Sequence, residues 1–197
     1  MKLRIVIASV LILSALSMLT ACHTDSEQSS ESADSFYSFT DSIGRNITLS
    51  ERPERVAAIT GSYADTWLLA GGELYATTQD AWDDEGILLP DNVLNLGSIR
   101  APSMEIIVEN QIDFVILSSE IEDHLKLSTQ LEKLEIPCAF FGVEVFDDYL
   151  HMLKICTDIT GQEDLYKKNG TDIKAQIDTT IARKEGKNAP SVLFMRA

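Results

Sequence analysis

The side chains best suited to chemistry are a few aromatic and polar residues that follow short apolar runs. Tyr63 and Trp82 could stack on a flat, conjugated ligand, because aromatic rings offer a large contact area. Arg100 carries a planar guanidinium that suits carboxylate or catecholate oxygens. Ser62 and Ser119 add hydroxyl groups in neighbouring loops. These five residues predict a ligand-binding site; the alternatives are that the rings cap a sheet and that Arg100 is solvated.

The sequence lacks the side-chain combinations that most enzymes need. None of the candidate loops pairs a nucleophile with a histidine base, and there is no P-loop, Cys-x-x-Cys or Gly-x-Gly-x-x-Gly motif. His124 and His151 lie far apart and are expected to be surface or packing residues. A zinc or manganese site needs several convergent histidine and carboxylate ligands. We therefore predict a protein that is not an enzyme and has no metal site or cofactor.

The net charge of the chain excludes two classes of partner, and its cysteines indicate whether it carries a disulfide. The chain has 16 basic and 31 acidic residues and a formal net charge of −15. Such acidity argues against nucleic acid, and against docking on anionic lipid through a basic patch. Cys138 and Cys156 stand in apolar surroundings, which predicts two buried free thiols rather than a disulfide.

The N-terminus predicts export. Two basic residues precede an uncharged run over residues 5–21, and Cys22 follows Leu19-Thr20-Ala21, an arrangement typical of a bacterial lipoprotein signal. The alternative is a single membrane-spanning helix, but the run is shorter than the roughly 20 residues that a bilayer core requires. We predict a signal peptide over 1–21, lipidation of Cys22, and a disordered acidic and serine-rich tether over 22–35. The protein would then be anchored to the outer face of the cytoplasmic membrane, or on the periplasmic side in a two-membrane cell.

The rest of the chain alternates short apolar runs with helical patterns. This alternation predicts an α/β fold, a mainly parallel sheet with helices on both faces. In such sheets ligands bind outside the carboxyl ends of the strands, where all five candidate residues lie. The predicted elements are a hairpin over 36–41 and 46–49; strands at 55–60, 74–78, 93–96, 113–117, 137–143 and 191–195; and helices at 65–70, 103–110, 125–134, 146–160 and 162–184.

Several segments in order resemble the iron-siderophore and cobalamin-type substrate-binding proteins of ABC importers. The resemblance covers residue 36 to the end, and it lies in the order and spacing of the segments rather than in any one motif. The segments are Thr40-Asp41-Ser42-Ile43-Gly44-Arg45, Pro53-Glu54-Arg55-Val56-Ala57-Ala58-Ile59, Leu96-Gly97-Ser98, Pro102-Ser103-Met104-Glu105-Ile106-Ile107, Asn110-Gln111-Ile112-Asp113-Phe114-Val115-Ile116, Leu134-Glu135-Ile136-Pro137 and Ile159-Thr160-Gly161-Gln162-Glu163.

The resemblance implies a domain plan. In that family one helix joins two α/β lobes and the ligand binds between them. The family pattern makes 36–160 the N-terminal ligand-binding lobe, 161–186 the inter-lobe connector helix and 187–197 the start of a second lobe. Most of the second lobe is then missing, so we expect the sequence to be truncated; the alternative, a deliberate single-lobe protein, would leave the connector helix with an unpaired apolar face. The resemblance also assigns Glu105 to docking in an arginine pocket of the permease; the alternative is a glutamate that only complements a helix dipole.

The expected function is that of a monomeric solute-binding protein. The resemblance implies capture of an iron chelate, a ferric siderophore, and its delivery to an ABC permease and its ATPase. The alternatives are the same fold binding haem or cobalamin, an α/β hydrolase-type enzyme, and an adhesion lipoprotein.

Overall fold

The computed structural model describes residues 35–183. The predicted signal peptide, Cys22, nearly all of the tether and the predicted strand at 191–195 lie outside the described residues. Among those described, no helix is both long and apolar enough to cross a membrane. The elements are β1 (Tyr37–Thr40), β2 (Asn46–Leu49), β3 (Val56–Ala58), α1 (Gly61–Leu69), β4 (Leu74–Thr77), α2 (Asp80–Asp83), β5 (Leu94–Asn95), β6 (Gly97–Ser98), β7 (Ala101–Pro102), α3 (Met104–Glu109), β8 (Phe114–Ser118), α4 (Glu122–Lys133), β9 (Cys138–Phe141), α5 (Phe146–Thr160), α6 (Glu163–Tyr166), a π-helical turn (Lys167–Thr171) and α7 (Asp172–Ala182).

The central sheet has five strands in the order β5-β4-β3-β8-β9, and every pairing in it is parallel. Strands β3 and β8 are buried along their whole length, because their runs of valine, alanine, isoleucine and phenylalanine present apolar side chains to both faces. On one face Phe114 and Ile116 pack with residues of α1 and α5. On the other face Val115 and Leu117 pack with residues of α3 and α4. The predicted α/β sheet with helices on both faces is confirmed.

Side-chain caps set two helix starts. The Ser103 hydroxyl accepts a hydrogen bond from the Ile106 N–H at 3.2 Å and begins α3 where the sequence predicted it. The predicted start of α1 at residue 65 is wrong: the helix begins at Gly61, because Thr60 caps it by accepting from the Tyr63 N–H at 3.3 Å. Helix α2 and the β6–β7 hairpin were not predicted, since elements this short carry no periodic pattern.

The predicted hairpin is confirmed as β1 paired antiparallel with β2, and its turn closes the free edge of the sheet. The Asp41 side chain is fully buried and accepts hydrogen bonds from the backbone N–H groups of Ile43, Arg45 and Phe140. It also pairs with the Arg45 guanidinium at 2.9 Å, and Arg45 lies 4.8 Å from the centre of the Phe140 ring. The Ser42 N–H donates to the Phe140 carbonyl at 2.9 Å. The turn thus satisfies the exposed backbone of edge strand β9.

The predicted polar helix after Gly161 is interrupted by the π-helical turn between α6 and α7. Up to this turn the chain is fixed to the lobe: Asn169 donates to the Leu69 carbonyl at 2.7 Å, and the Tyr149 hydroxyl donates to the Asn169 carbonyl at 2.9 Å. Gly170 is buried against Leu150 and Leu153. Helix α7 has no buried residue.

The two predicted free thiols are confirmed: Cys138 and Cys156 are unbonded and buried. Cys156 lies in the core between α5 and the sheet, and burial raises the pKa of its thiol to about 12. It is therefore an inert packing residue at neutral pH.

Candidate functional site

The carboxyl edge of the sheet gathers the loops that follow its five strands. The loop after β3 leads into α1, the loop after β4 into α2, and β5 leads into the β6–β7 hairpin. The loops after β8 and β9 lead into α4 and α5. Because all five strands are parallel, these loops lie side by side, and together they form the face of the lobe where a ligand is expected. We call this face the carboxyl-edge surface.

Hydrogen bonds cross-link the loops at one end of this surface. The Asp80 carboxylate accepts from the Gly61 N–H and from the Thr78 hydroxyl, each at 2.6 Å. The Gln79 N–H donates to the Gly97 carbonyl at 2.8 Å, and the Asn95 side-chain amide donates to the Gln79 side-chain oxygen at 2.6 Å. The loops after β3, β4 and β5 therefore form one connected network. The linking role of Asp80 was not predicted from the sequence. The one available indication was its position just after an apolar strand, where side chains of the carboxyl edge are expected.

Tyr63 lies in the core and not on the carboxyl-edge surface. Only 6% of the residue is exposed, because α1 packs its ring against the sheet and α5. The hydroxyl donates to the Phe141 carbonyl at 2.8 Å and lies 3.5 Å from the Ser118 hydroxyl, and burial raises the pKa of Tyr63. Stacking of this ring on a ligand is not supported by the geometry; the alternative considered from sequence, a ring that caps the sheet, fits. Its hydroxyl ties α1 to the carboxyl end of β9.

The other predicted ligand contacts are at the surface. Trp82 on α2 is 41% exposed, and Ser62 stands exposed in the first turn of α1 with its hydroxyl 3.4 Å from that of Thr60. The Arg100 side chain is 78% exposed and lies 3.7 Å from the Asp123 carboxylate. Such an exposed ion pair is weak, so the guanidinium remains able to bind an anionic group.

Ser119 is half-buried between the loops after β8 and β9. Its hydroxyl lies 3.3 Å from the Phe141 carbonyl and 3.2 Å from the Glu120 carboxylate. Gly142 lies directly against this hydroxyl, so a side chain at position 142 would displace it. Ser119 therefore holds together two of the loops that form the carboxyl-edge surface.

Glu105 is exposed in the first turn of α3, directly after the Ser103 cap. Its position favours a negative charge through the helix dipole, and the carboxylate is open to solvent. The geometry is compatible both with docking to a partner and with a helix-start residue.

A cavity of about 550 Å³ lies at the opposite, amino-terminal edge of the sheet. Its walls include Arg52, Arg55, Tyr75 and the edge of Trp67. Both arginines are engaged locally: Arg52 donates to the Thr160 carbonyl at 3.0 Å, and Arg55 to the Gln111 side chain at 2.8 Å. Because parallel sheets bind ligands at the other edge, we do not assign function to this cavity. Across residues 35–183 there is no cluster of three or more histidine, cysteine, aspartate or glutamate side chains that could hold a metal ion.

Comparison with known proteins identifies the family. Residues 56–197 match the family model described as periplasmic binding protein. The chain belongs to the periplasmic binding protein family. A search of curated proteins finds no sequence match. The family indicates an exported protein of the periplasm.

Solved structures share the fold of this periplasmic binding protein. One is a siderophore-binding protein bound to acinetobactin and ferric iron (TM-score 0.60, 16% identity, 77% of this chain and 55% of that chain). A second is a periplasmic catecholate-siderophore-binding protein from Vibrio cholerae (TM-score 0.61, 18% identity, 76% and 54%). A third is a periplasmic haem-binding protein from Pseudomonas aeruginosa (TM-score 0.57, 19% identity, 70% and 50%). The chain thus spans about half the length of each of these proteins.

Proposed function

We propose that this periplasmic binding protein captures a ferric siderophore and delivers it to an ABC permease and its ATPase, without chemistry of its own. The supporting observation is the carboxyl-edge surface, which presents the Arg100 guanidinium and the Trp82 ring from loops that hydrogen bonds hold in place. A guanidinium suits the anionic oxygens of an iron chelate, and an exposed ring suits its flat aromatic groups. Ser62 and Ser119 supply hydroxyls at the same surface.

Haem is the second candidate ligand, favoured by the fold shared with a periplasmic haem-binding protein. The two are separated by titrating the complete two-lobe protein with a ferric catecholate, ferric citrate, haem and cobalamin while recording tryptophan fluorescence and absorption. Binding of a ferric chelate alone supports the proposal. Binding of haem alone would show that the ligand is haem and not a ferric siderophore. Binding of none of the four, or turnover of ester or phosphate substrates, would overturn it.

The Arg100→Ala variant of the complete two-lobe protein tests the charge contact. Loss of the guanidinium is expected to weaken binding of the ferric chelate by roughly 1.5–3 kcal/mol, the range for a hydrogen bond to a charged group. The matched control is Lys126→Ala, because Lys126 pairs with the same Asp123 carboxylate at 3.1 Å and is also exposed. If both variants change affinity by less than about 0.3 kcal/mol, Arg100 is only a solvated surface residue.

Glu105 is proposed to dock the protein to its permease. In cells that carry the complete transporter, Glu105→Ala is expected to cut uptake of the chelate while affinity and melting temperature stay close to wild type, and Glu105→Arg to cut it further. A desolvated charge at an interface matters far more than an exposed one. Glu109→Ala is the matched control, since Glu109 is an exposed glutamate at the far end of α3. Unchanged uptake in both Glu105 variants would leave Glu105 as a helix-start residue.

The lipid anchor is also proposed, from Leu19-Thr20-Ala21-Cys22. Cys22→Ala is expected to release the protein from the membrane fraction or to leave an unprocessed precursor, because the acceptor thiol is gone. Labelling with a palmitate analogue and fractionation of the cells measure this. Wild-type labelling and fractionation of the variant would contradict the proposal.

A further inference from the structure

His124 occupies an unusual position beside the carboxyl-edge surface. It lies in the first turn of α4 and is fully buried. Its Nδ1 accepts a hydrogen bond from the Ser118 N–H at 2.9 Å, and its Nε2 lies 3.0 Å from the Ile99 carbonyl oxygen. A backbone N–H can only donate and a carbonyl can only accept. The ring is therefore neutral, with its single proton on Nε2.

These two contacts join separate parts of the candidate site. Ser118 is the last residue of β8, and Ile99 lies in the turn between β6 and β7, immediately before Arg100. The same turn has a second attachment to α4 through the exposed Arg100–Asp123 pair. Since exposed ion pairs add little, the buried imidazole is the stronger attachment of the turn.

The neighbouring charges do not stabilise a positive ring enough to offset burial. Burial lowers the pKa of His124 below its ordinary 6.5, although the adjacent Asp123 opposes this. Asp123 is itself shared with Lys126 on α4 and with Arg100 from the turn. In the loop after β8, the charged residue is Glu120, whose backbone N–H donates to the Ser118 hydroxyl at 3.2 Å.

We propose that His124 is a positioning residue and an acid-sensitive latch that holds the Arg100 turn against the end of β8. A proton on Nδ1 would face the hydrogen of the Ser118 N–H, so protonation breaks that bond and releases the turn from the end of β8, while the turn stays bonded to Nε2 through the Ile99 carbonyl. The latch acts in the lobe without ligand, so it goes beyond the proposed function and stands whether or not Arg100 binds a chelate.

The direction of the pH effect follows from linkage. Because the pKa of His124 is lower in the folded chain than in the unfolded chain, proton uptake favours the released form. The stability that the latch contributes is complete above about pH 6.5 and falls as the pH drops below that value. A single proton changes the released fraction by at most about tenfold for each pH unit.

The experiment uses the full chain without ligand. Imidazole nitrogen NMR and amide hydrogen exchange are recorded at about pH 7.5 and about pH 5, on either side of the usual histidine range. Wild type is expected to show a neutral ring protonated on Nε2 at the higher pH. At the lower pH, exchange at Ser118 and around Ile99 should accelerate beyond the intrinsic pH effect.

Two variants isolate the titration. His124→Asn places an amide oxygen near Nδ1, keeps an acceptor for Ser118 and removes the titrating group, so exchange at Ser118 should lose its excess pH dependence. His151→Gln is the control, because His151 is exposed on α5, and it should behave like wild type. A wild-type ring protonated on Nδ1 at the higher pH overturns the proposal, as does unaltered pH dependence in His124→Asn. The tautomer measurement needs no variant, so the test holds even if His124→Asn does not fold.

Discussion

Replacing Asp41 by alanine is expected to lower the free energy of unfolding by about 3–5 kcal/mol, the usual cost of removing one member of a buried ion pair. The carboxylate is fully buried and is the common acceptor for the Arg45 guanidinium and for the backbone N–H groups of Ile43 and Phe140. Its removal takes the acceptor from the Arg45 Nε and from the backbone N–H groups of Ile43 and Phe140, while the two Nη atoms of Arg45 keep the Glu132 carboxylate and the Cys138 carbonyl. Urea denaturation followed by circular dichroism measures the change.

The control for Asp41 is Asp91→Ala, which removes an exposed carboxylate from the loop before β5. That variant should stay within about 0.5 kcal/mol of wild type, as surface substitutions do. A loss of less than about 1 kcal/mol for Asp41→Ala would show that water replaces the carboxylate, and that the hairpin turn does not close the β9 edge as described.

The second large effect is expected at Trp67, which is 2% exposed in the core between the sheet, α1 and α5. Trp67→Ala should lower the free energy of unfolding by about 3–5 kcal/mol, because the cavity left by an indole cannot fully collapse. It also removes the hydrogen bond from Nε1 to the Glu73 carbonyl at 2.9 Å. Gly72 lies directly against the ring, where a Cβ would collide with it.

Trp82→Ala provides the matched comparison, since Trp82 is 41% exposed. Its stability should stay within about 1 kcal/mol of wild type, whereas its fluorescence response to a bound chelate should disappear. Equal destabilisation by the two tryptophan substitutions would contradict the assignment of Trp67 to the core and of Trp82 to the surface. Denaturant curves and fluorescence titrations on the same preparations decide this.

The sheet could be predicted because its strands coincide with short runs of apolar residues in the sequence. The run of residues 114–117 has no polar position, so a buried strand is the natural interpretation. Helix α5 combines apolar residues at helical spacing with Gly161 at its end, and its predicted bounds match the structure. Helix α2 and the β6–β7 hairpin could not be predicted, because four residues or fewer carry no periodicity.

The positions of the site residues were harder to predict from the sequence than the sheet, because they depend on contacts between segments that are distant in the chain. The sequence left two roles open for Tyr63, and only the packing of α1 against β9 and α5 shows that the ring is buried. His124 was expected to be a surface or packing residue. Its partner at Ile99 lies 25 positions away in the chain, a pairing that no local pattern encodes. Asp80 likewise acts through a backbone group 19 positions away.

The π-helical turn at Lys167–Thr171 has an evolutionary consequence. Ile173 and Ile177 follow Tyr166 and Gly170 at a spacing of seven residues, which in an unbroken α-helix would place them on one face. A π turn holds an additional residue, so everything after it is rotated by about 100°. The three isoleucines of α7 are 38–59% exposed, while Gly170 is buried on the lobe. The loss of the Thr171 codon would exchange the face that α7 offers to a neighbour, and the contacts of Asn169 and Gly170 with the lobe lie before the change.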